Sequence, residues 1–250
     1  MKIVSWNVNG LRARLLDGTL QKVLSLDADV YCFQELKLSD LGTFDSALFE
    51  RYHVSAKLAK KRGYSGVCIL SKEPPQFVNK ESGFIKADNE GRYLSATFPN
   101  GIRVISVYMP HGKRDKSEIQ YKLFFANHLQ NHLFKDDIET IVCTDFNIAH
   151  KEIDLARPKQ NNANVMFTPE ERKVIDDLIS LGFVDAFRVK ETGEGYYTWW
   201  PFSYNAYERN LGWRIDYFFI SKKLRKYLNS VNILKEVRGS DHAPIIMELK

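Results

Sequence analysis

The chain has 250 residues, 44% hydrophobic and 27% charged, which is enough to bury a sizeable core and excludes a fibrous, disordered or lipid-embedded chain. Thirty-six Lys and Arg against 31 Asp and Glu leave a formal charge of +5, a balance that suits a polyanionic partner without requiring one. No run of about 18 apolar residues is present, and the opening "MKIVSWNVNG" turns polar too soon for a signal peptide. The expected location is therefore the cytoplasm, at the nucleoid in a prokaryote, with no membrane partner.

Short β-rich runs recur along the chain: "KIVSW", "DVYCFQE", "HVSAK", "GVCILS", "YLSATF", "RVISVYM", "TIVCTDF", "YTWW", "RIDYFFI" and "APIIMEL". Between some of them, apolar residues at three- and four-residue spacing predict helices over Leu15–Leu26, over "KSEIQYKLFFANHLQNHLF" and over "TPEERKVIDDLISLGF". The last opens on Thr168, Pro169 and an acidic first turn, a strong helix start. Cys32, Cys68 and Cys143 each lie inside an apolar strand-like run, which predicts reduced, buried thiols. No linker or low-complexity tract interrupts residues 1–250, so one α/β domain is expected, with two packed sheets and helices outside them.

The strand ends carry the chemistry. "KIVSWNVNG" runs into Asn7 and Asn9, "DVYCFQELK" into Glu35, and "RVISVYMPHGK" into Tyr108, His111 and Lys113. "TIVCTDFNIAH" ends in Asp145, Asn147 and His150, "GWRIDYFFI" carries Asp216, and the last apolar run is preceded by "GSDHAP", with Asp241 and His242 side by side. One such ending is a turn; six of them predict one assembled site. Carboxylates and amides with an imidazole, and no Ser or Cys nucleophile, suit a hard cation such as Mg²⁺, or Mn²⁺ in its place. Glu35 and Asp241 are the leading ligand candidates, with Asn7 and Asn9 tuning them. Asp145 and Asn147, two apart on one strand end, suit an attacking water, and Asp216 suits the second N–H of His242. The expected reaction is metal-assisted phosphodiester hydrolysis by water.

"WNVNGLRA", "QELK", "RGYSGV", "YMPHGK", "DFNIAHKEIDLARPK", "FTPEER", "YTWW", "NLGWRIDYF" and "GSDHAPI" together resemble, in order and wording, the exonuclease III family of apurinic/apyrimidinic endonucleases, over essentially the whole chain. The resemblance implies a four-layer α/β sandwich of two mixed sheets face to face, DNase I-like, with a Mg²⁺-dependent cleft at one edge. It implies incision of double-stranded DNA on the 5′ side of an abasic site, leaving a 3′-hydroxyl and a 5′-deoxyribose phosphate. Accessory 3′-phosphodiesterase and 3′→5′ exonuclease action on blocked 3′ ends is implied as well, by an enzyme expected to be a monomer.

Carried over residue by residue, Glu35 resembles the principal metal ligand, with Asn7, Asn9 and Asp241 around it and Asp145 and Asn147 at the edge of the metal set. The family often has Asp in place of Asn9. Tyr108 resembles a tyrosine that contacts the scissile phosphate or metal water. Asp145 and Asn147 resemble the pair that activates water and binds the transition-state oxygen, and His242 with Asp216 resembles the phosphate-polarising imidazole. Asp145 and His242 both remain candidates for the general base, with Asp145 preferred because a carboxylate-held imidazole tends to be cationic. Trp199, Trp213 and Ile215 match positions lining the pocket for the flipped abasic sugar, and Asn161 and Asn164 match its phosphate contacts. In "AKKRGYSG", Lys60, Lys61 and Arg62, with Tyr64, form either a solvated turn or a phosphate grip flanking the lesion; His111 and Lys113 are further DNA-binding candidates, Lys113 at a position where some relatives insert a larger side chain into a groove. His111 stands where relatives commonly carry Asn or Gln, and Ser203, where some carry a groove wedge, is too small for one; neighbouring Phe202 or Tyr204 could replace it.

Two rival classes are set aside on residues. Lipid or inositol phosphate hydrolysis and nonspecific nuclease action would share the Asp-His machinery but not "DLARPK" with its Trp-lined pocket. A noncatalytic DNA-binding module would be expected to have lost one of Glu35, Asp145, Asn147 or His242, and all are present.

Overall fold

The computed structural model describes residues 1–132 and 136–250. β1 (Lys2–Asn7) leads through two short helices, α1 (Leu11–Leu16) and α2 (Thr19–Leu24), to β2 (Val30–Gln34), which lies parallel to β1. β3 (His53–Lys57) and β4 (Val67–Ser71) follow, then β5 (Phe77–Asn79), α3 (Ile85–Asn89), β6 (Tyr93–Thr97) and β7 (Arg103–Tyr108). α4 (Ile119–His132) crosses to β8 (Thr140–Asp145), and α5 (Pro158–Asn161), α6 (Pro169–Ser180), β9 (Phe183–Asp185) and α7 (Ala186–Lys190) come next. β10 (Asp216–Ser221), β11 (Leu228–Ile233) and β12 (Ile245–Leu249) complete the order.

Among the described residues the strands form two six-stranded sheets, β11-β12-β1-β2-β4-β3 and β5-β6-β7-β8-β10-β9. Each has one parallel pair at its centre, β1 with β2 and β7 with β8, and antiparallel neighbours elsewhere. Strand periodicity sorts the side chains into layers. Ile3, Cys32, Ile69, Leu94, Val104, Ile141, Cys143 and Phe218 fill the space between the sheets. Val4, Trp6, Tyr31 and Phe33 face the other way, toward Leu11, Leu20 and Val23 of α1 and α2. Ile105, Val107, Val142 and Phe219 face Phe125, Leu129, Val174 and Leu178 of α4 and α6. This is the expected four-layer α/β sandwich, and each fully buried Leu, Ile or Phe contributes about 1.5–3 kcal/mol to it.

Several predicted boundaries move. The expected helix over Leu15–Leu26 is broken by Gly18, whose φ of 76° takes the chain out of the helical region, so α1 and α2 are separate. "YTWW" forms no strand of its own; Trp199 makes isolated bridges to Trp213 and His242. The tail of "TPEERKVIDDLISLGF" leaves the helix at Gly182 (φ 97°) and becomes β9. α6 begins as expected, with a capping box in which Thr168 accepts from the Glu171 amide and Glu171 accepts from the Thr168 amide. Of the helix expected through "NHLF", α4 extends to His132, and Leu133 and Phe134 lie outside the described residues. All three cysteines are buried free thiols. No helix among the described residues is long and apolar enough to cross a membrane.

Candidate active site

The two parallel strand pairs end at the same edge of the sandwich, and the residues just past them hold unusual backbone. Asn9, Glu35, Lys37 and Asn147 have φ of 45°, 52°, 51° and 53°. Left-handed backbone at a non-glycine residue costs on the order of 1–3 kcal/mol and persists only where surroundings over-determine it. Here those surroundings are a polar network.

Asn7, fully buried at the end of β1, donates one amide hydrogen to Glu35 Oε1 and one to Asp145 Oδ2, each at 2.8 Å. It thereby ties the end of one sheet to the end of the other. Strand register places Asp145 opposite both Tyr108 and Asp216. His242 donates from Nδ1 to Asp216 Oδ2 at 2.9 Å, which leaves Nε2 facing Asp145 Oδ2 at 3.8 Å. Its carbonyl accepts from the Trp6 indole at 2.9 Å, fixing the loop. Asp216 Oδ1 is buried with no hydrogen-bond partner among the described residues.

Electrostatics separate the roles. Burial would push the His242 imidazole down, but Asp216 and then Asp145 outweigh it and raise its pKa to about 10. The ring is cationic at neutral pH. Burial pushes the Asp145 carboxyl up to about 7; His242 opposes the shift, and Asp216 and Glu35 add to it. Glu35 moves the other way, because Lys37 and Asn7 outweigh its burial and lower it. Tyr108 is held protonated by burial and by the Glu35 charge.

Glu35, Asp145 and His242 each offer a ligand atom, and these atoms lie within 4.8 Å of one another. Two carboxylates at one point fit a hard divalent cation. Of the expected metal set, Asp241 is not in this group. Its Oδ1 accepts from Asn9 Nδ2 at 2.8 Å and its Oδ2 from the Trp199 indole at 2.9 Å. Asn9 is spanned between Asp241 and the Lys37 ammonium, which also pairs with Glu35 Oε2 at 2.8 Å. Asn147 donates to the Met109 carbonyl at 2.9 Å and takes a backbone bond to Asp145 Oδ1 at 3.0 Å.

Beside this cluster opens a cavity of about 480 Å³ lined by His111, Arg114, Asn161, Asn164, Trp199, Trp213 and their neighbours. Trp199 and Trp213 supply flat walls, and Asn164 donates to Asn161 at 2.8 Å on the rim. Ile215 is corrected: it is 1% exposed and packs with Met166 and Phe167 behind the tryptophans, so it backs the cavity rather than lining it. Ser203 and the 83%-exposed Tyr204 line the cavity, whereas Phe202 lines the neighbouring cleft at Trp200 and Arg238.

Lys60, Lys61 and Arg62 are exposed on the loop after β3, with the Lys61 ammonium 5.3 Å from the Tyr64 ring centre. Tyr64 accepts from buried Arg92, which also lies 4.6 Å from the Tyr108 ring centre, so this loop borders the catalytic tyrosine candidate without joining the carboxylate cluster. Lys113 is exposed and pairs with Glu118 at 3.4 Å. Sequence reasoning missed Lys37, Arg92, Arg114 and Lys122. Lys37 had a signal in "QELK", two residues after the ligand candidate; the others carry none until the chain is folded.

A model of the Endonuclease/Exonuclease/phosphatase family matches residues 4–242. The chain is 41% identical over 250 residues to an exodeoxyribonuclease of Bacillus subtilis, covering 98% of each protein. A 3′-5′ exonuclease of Neisseria meningitidis superimposes with a TM-score of 0.91 at 31% identity, covering 100% of this chain and 99% of the other. An AP endonuclease of Archaeoglobus fulgidus gives 0.90 at 30% identity with the same coverage.

Proposed function

The chain belongs to the endonuclease/exonuclease/phosphatase family, in its exonuclease III branch of AP endonucleases, and from that premise we propose that it is a DNA repair hydrolase cutting the phosphodiester bond 5′ to abasic sites. Residues 1–250 act as one catalytic domain on double-stranded DNA, as a monomer, with 3′→5′ exonuclease and 3′-phosphodiesterase action as accessory activities. The observation that carries this is the junction of a carboxylate–imidazole cluster with a cavity of about 480 Å³ walled by Trp199 and Trp213.

Glu35 and Asp145 would hold the cation, Mg²⁺ or Mn²⁺. When bound, that ion polarises a phosphate oxygen and offsets negative charge built up in the transition state. The chain's own groups do the rest. Asp145 takes the proton of the attacking water as the water oxygen bonds to phosphorus. The bond from phosphorus to the 3′-oxygen of the upstream nucleotide breaks, and that oxygen leaves with the bonding pair and takes a proton from solvent water, giving a 3′-hydroxyl and a 5′-deoxyribose phosphate. Asn147 places the water, and the His242 imidazolium, held by Asp216, lies against the phosphate and stabilises its charge. Tyr108, kept protonated, donates to the same phosphate. His242 is the weaker base candidate because its cationic form has no free nitrogen lone pair with which to accept a proton. An abasic nucleotide is cheaply unstacked and enters between Trp199 and Trp213, while Arg62, Lys61 and His111 bind flanking phosphates.

Asp145→Asn and His242→Ala are the test. Each is expected to bind abasic duplex within about 1–2 kcal/mol of wild type while turnover falls by at least about a hundredfold. Near-normal turnover in either variant removes that residue from the reaction.

A further inference from the structure

Lys122 and Glu171 form an ion pair in which both side chains are completely buried, with Nζ 2.6 Å from Oε1. Such a pair is a poor device for stability alone, because desolvating two charges offsets most of their attraction. The other two ammonium hydrogens show what the pair holds. One goes to the carbonyl of Asn147 at 2.6 Å and the other to the carbonyl of His111 at 3.2 Å. Lys122 on α4 thus joins three segments remote in sequence: the loop after β7, the loop after β8 and the first turn of α6, where Glu171 also accepts from the Thr168 amide at 3.1 Å.

Asn147 needs such a holder. Its φ of 53° puts it in the left-handed region that Asn tolerates best among residues with a side chain, and its backbone position determines where its amide points. The His111 loop is equally constrained, since a Cβ on Gly112 (φ +94°) would lie 2.8 Å from Val165 Cγ2. We propose that Lys122, fixed by Glu171 and anchored to the His111 carbonyl, is the positioning residue that sets Asn147 in its working geometry. The proposal rests on the role given above to Asn147.

The test is Lys122→Met combined with Glu171→Gln, which removes both charges and keeps an acceptor for the Thr168 amide. With cooperative unfolding retained, kcat on abasic duplex is expected to fall roughly ten- to a hundredfold, the scale of a small misplacement at the reacting atoms, with KM changed by less than about threefold. Placed in an Asn147→Ala background, the same pair of substitutions is expected to cost less than about twofold, because the residue it positions is already gone. Glu171→Gln alone, which leaves the bulk intact, is expected to show a smaller kcat loss with the same dependence on Asn147, and it decides the matter if the double variant does not fold. Wild-type kcat in the variants, or equal losses in both backgrounds, overturns the proposal while leaving the hydrolase assignment intact. A wild-type protein that cuts no DNA removes both.

Discussion

His242 Nδ1 stands 2.9 Å from Asp216 Oδ2, and this contact is the main source of the positive charge on the imidazole. Asp216→Asn keeps the shape and removes the charge. The imidazole is then expected to titrate well below the value of about 10 it has beside the carboxylates, as followed by NMR of the ring protons. Turnover is expected to fall by at least about a hundredfold with abasic-DNA affinity little changed. An unchanged titration would show that Asp216 does not set the charge.

The same contact makes stability depend on pH in a defined sense. The folded-state value of about 10 lies above the ordinary histidine value of 6.5, so the native state binds the proton more tightly than the unfolded chain. The stabilisation is fully present below pH 6.5 and is lost as pH rises through about 10. In metal-free protein, the stability gap between wild type and His242→Gln is expected to shrink by at least about 1 kcal/mol from pH 6 to pH 10, measured by urea unfolding. A gap that widens would reverse the assignment.

Metal dependence follows from Glu35 and Asp145 meeting at one point. Excess chelator is expected to abolish cleavage and Mg²⁺ to restore it, with Glu35→Gln needing at least about tenfold more Mg²⁺ for half activity. Full activity in chelator would exclude the ion from the reaction.

Exposed Lys61 and Arg62 should act on binding alone. Replacing both by Gln is expected to lower the slope of log affinity against log salt by about 1 to 2, for damaged and intact duplex alike, with kcat at saturation unchanged. A loss confined to damaged DNA would place them in lesion recognition.

Much of the site was legible because strand-ending polar residues read directly from a linear chain. Asn7, Glu35, Tyr108, Asp145, Asp216 and His242 all sit at or just beyond apolar strands, and hydrogen bonding and register bring them to one edge. The Lys122 pin was not legible, since a lysine on a helix normally reads as solvated and its three partners are remote in sequence. The partners of Asp241, the Asn9 amide and the Trp199 indole, were likewise not legible, since both lie far from it in sequence. Among the elements, β9 was hidden in the tail of a helical pattern, and β11, "LNSVNI", has too many Asn and Ser residues to show strand alternation. Ile215, the residue before β10, packs with Met166 and Phe167 behind the tryptophans, a placement set by folded contacts that the sequence does not show.

The most direct measurement is Mg²⁺-dependent cleavage of a 5′-labelled duplex carrying one tetrahydrofuran abasic analogue, beside its undamaged twin. A single cut immediately 5′ of the analogue is expected, absent from the twin and from the Asp241→Ala/His242→Ala double variant. Equal degradation of both duplexes, or cleavage of neither, would contradict a lesion-directed phosphodiesterase.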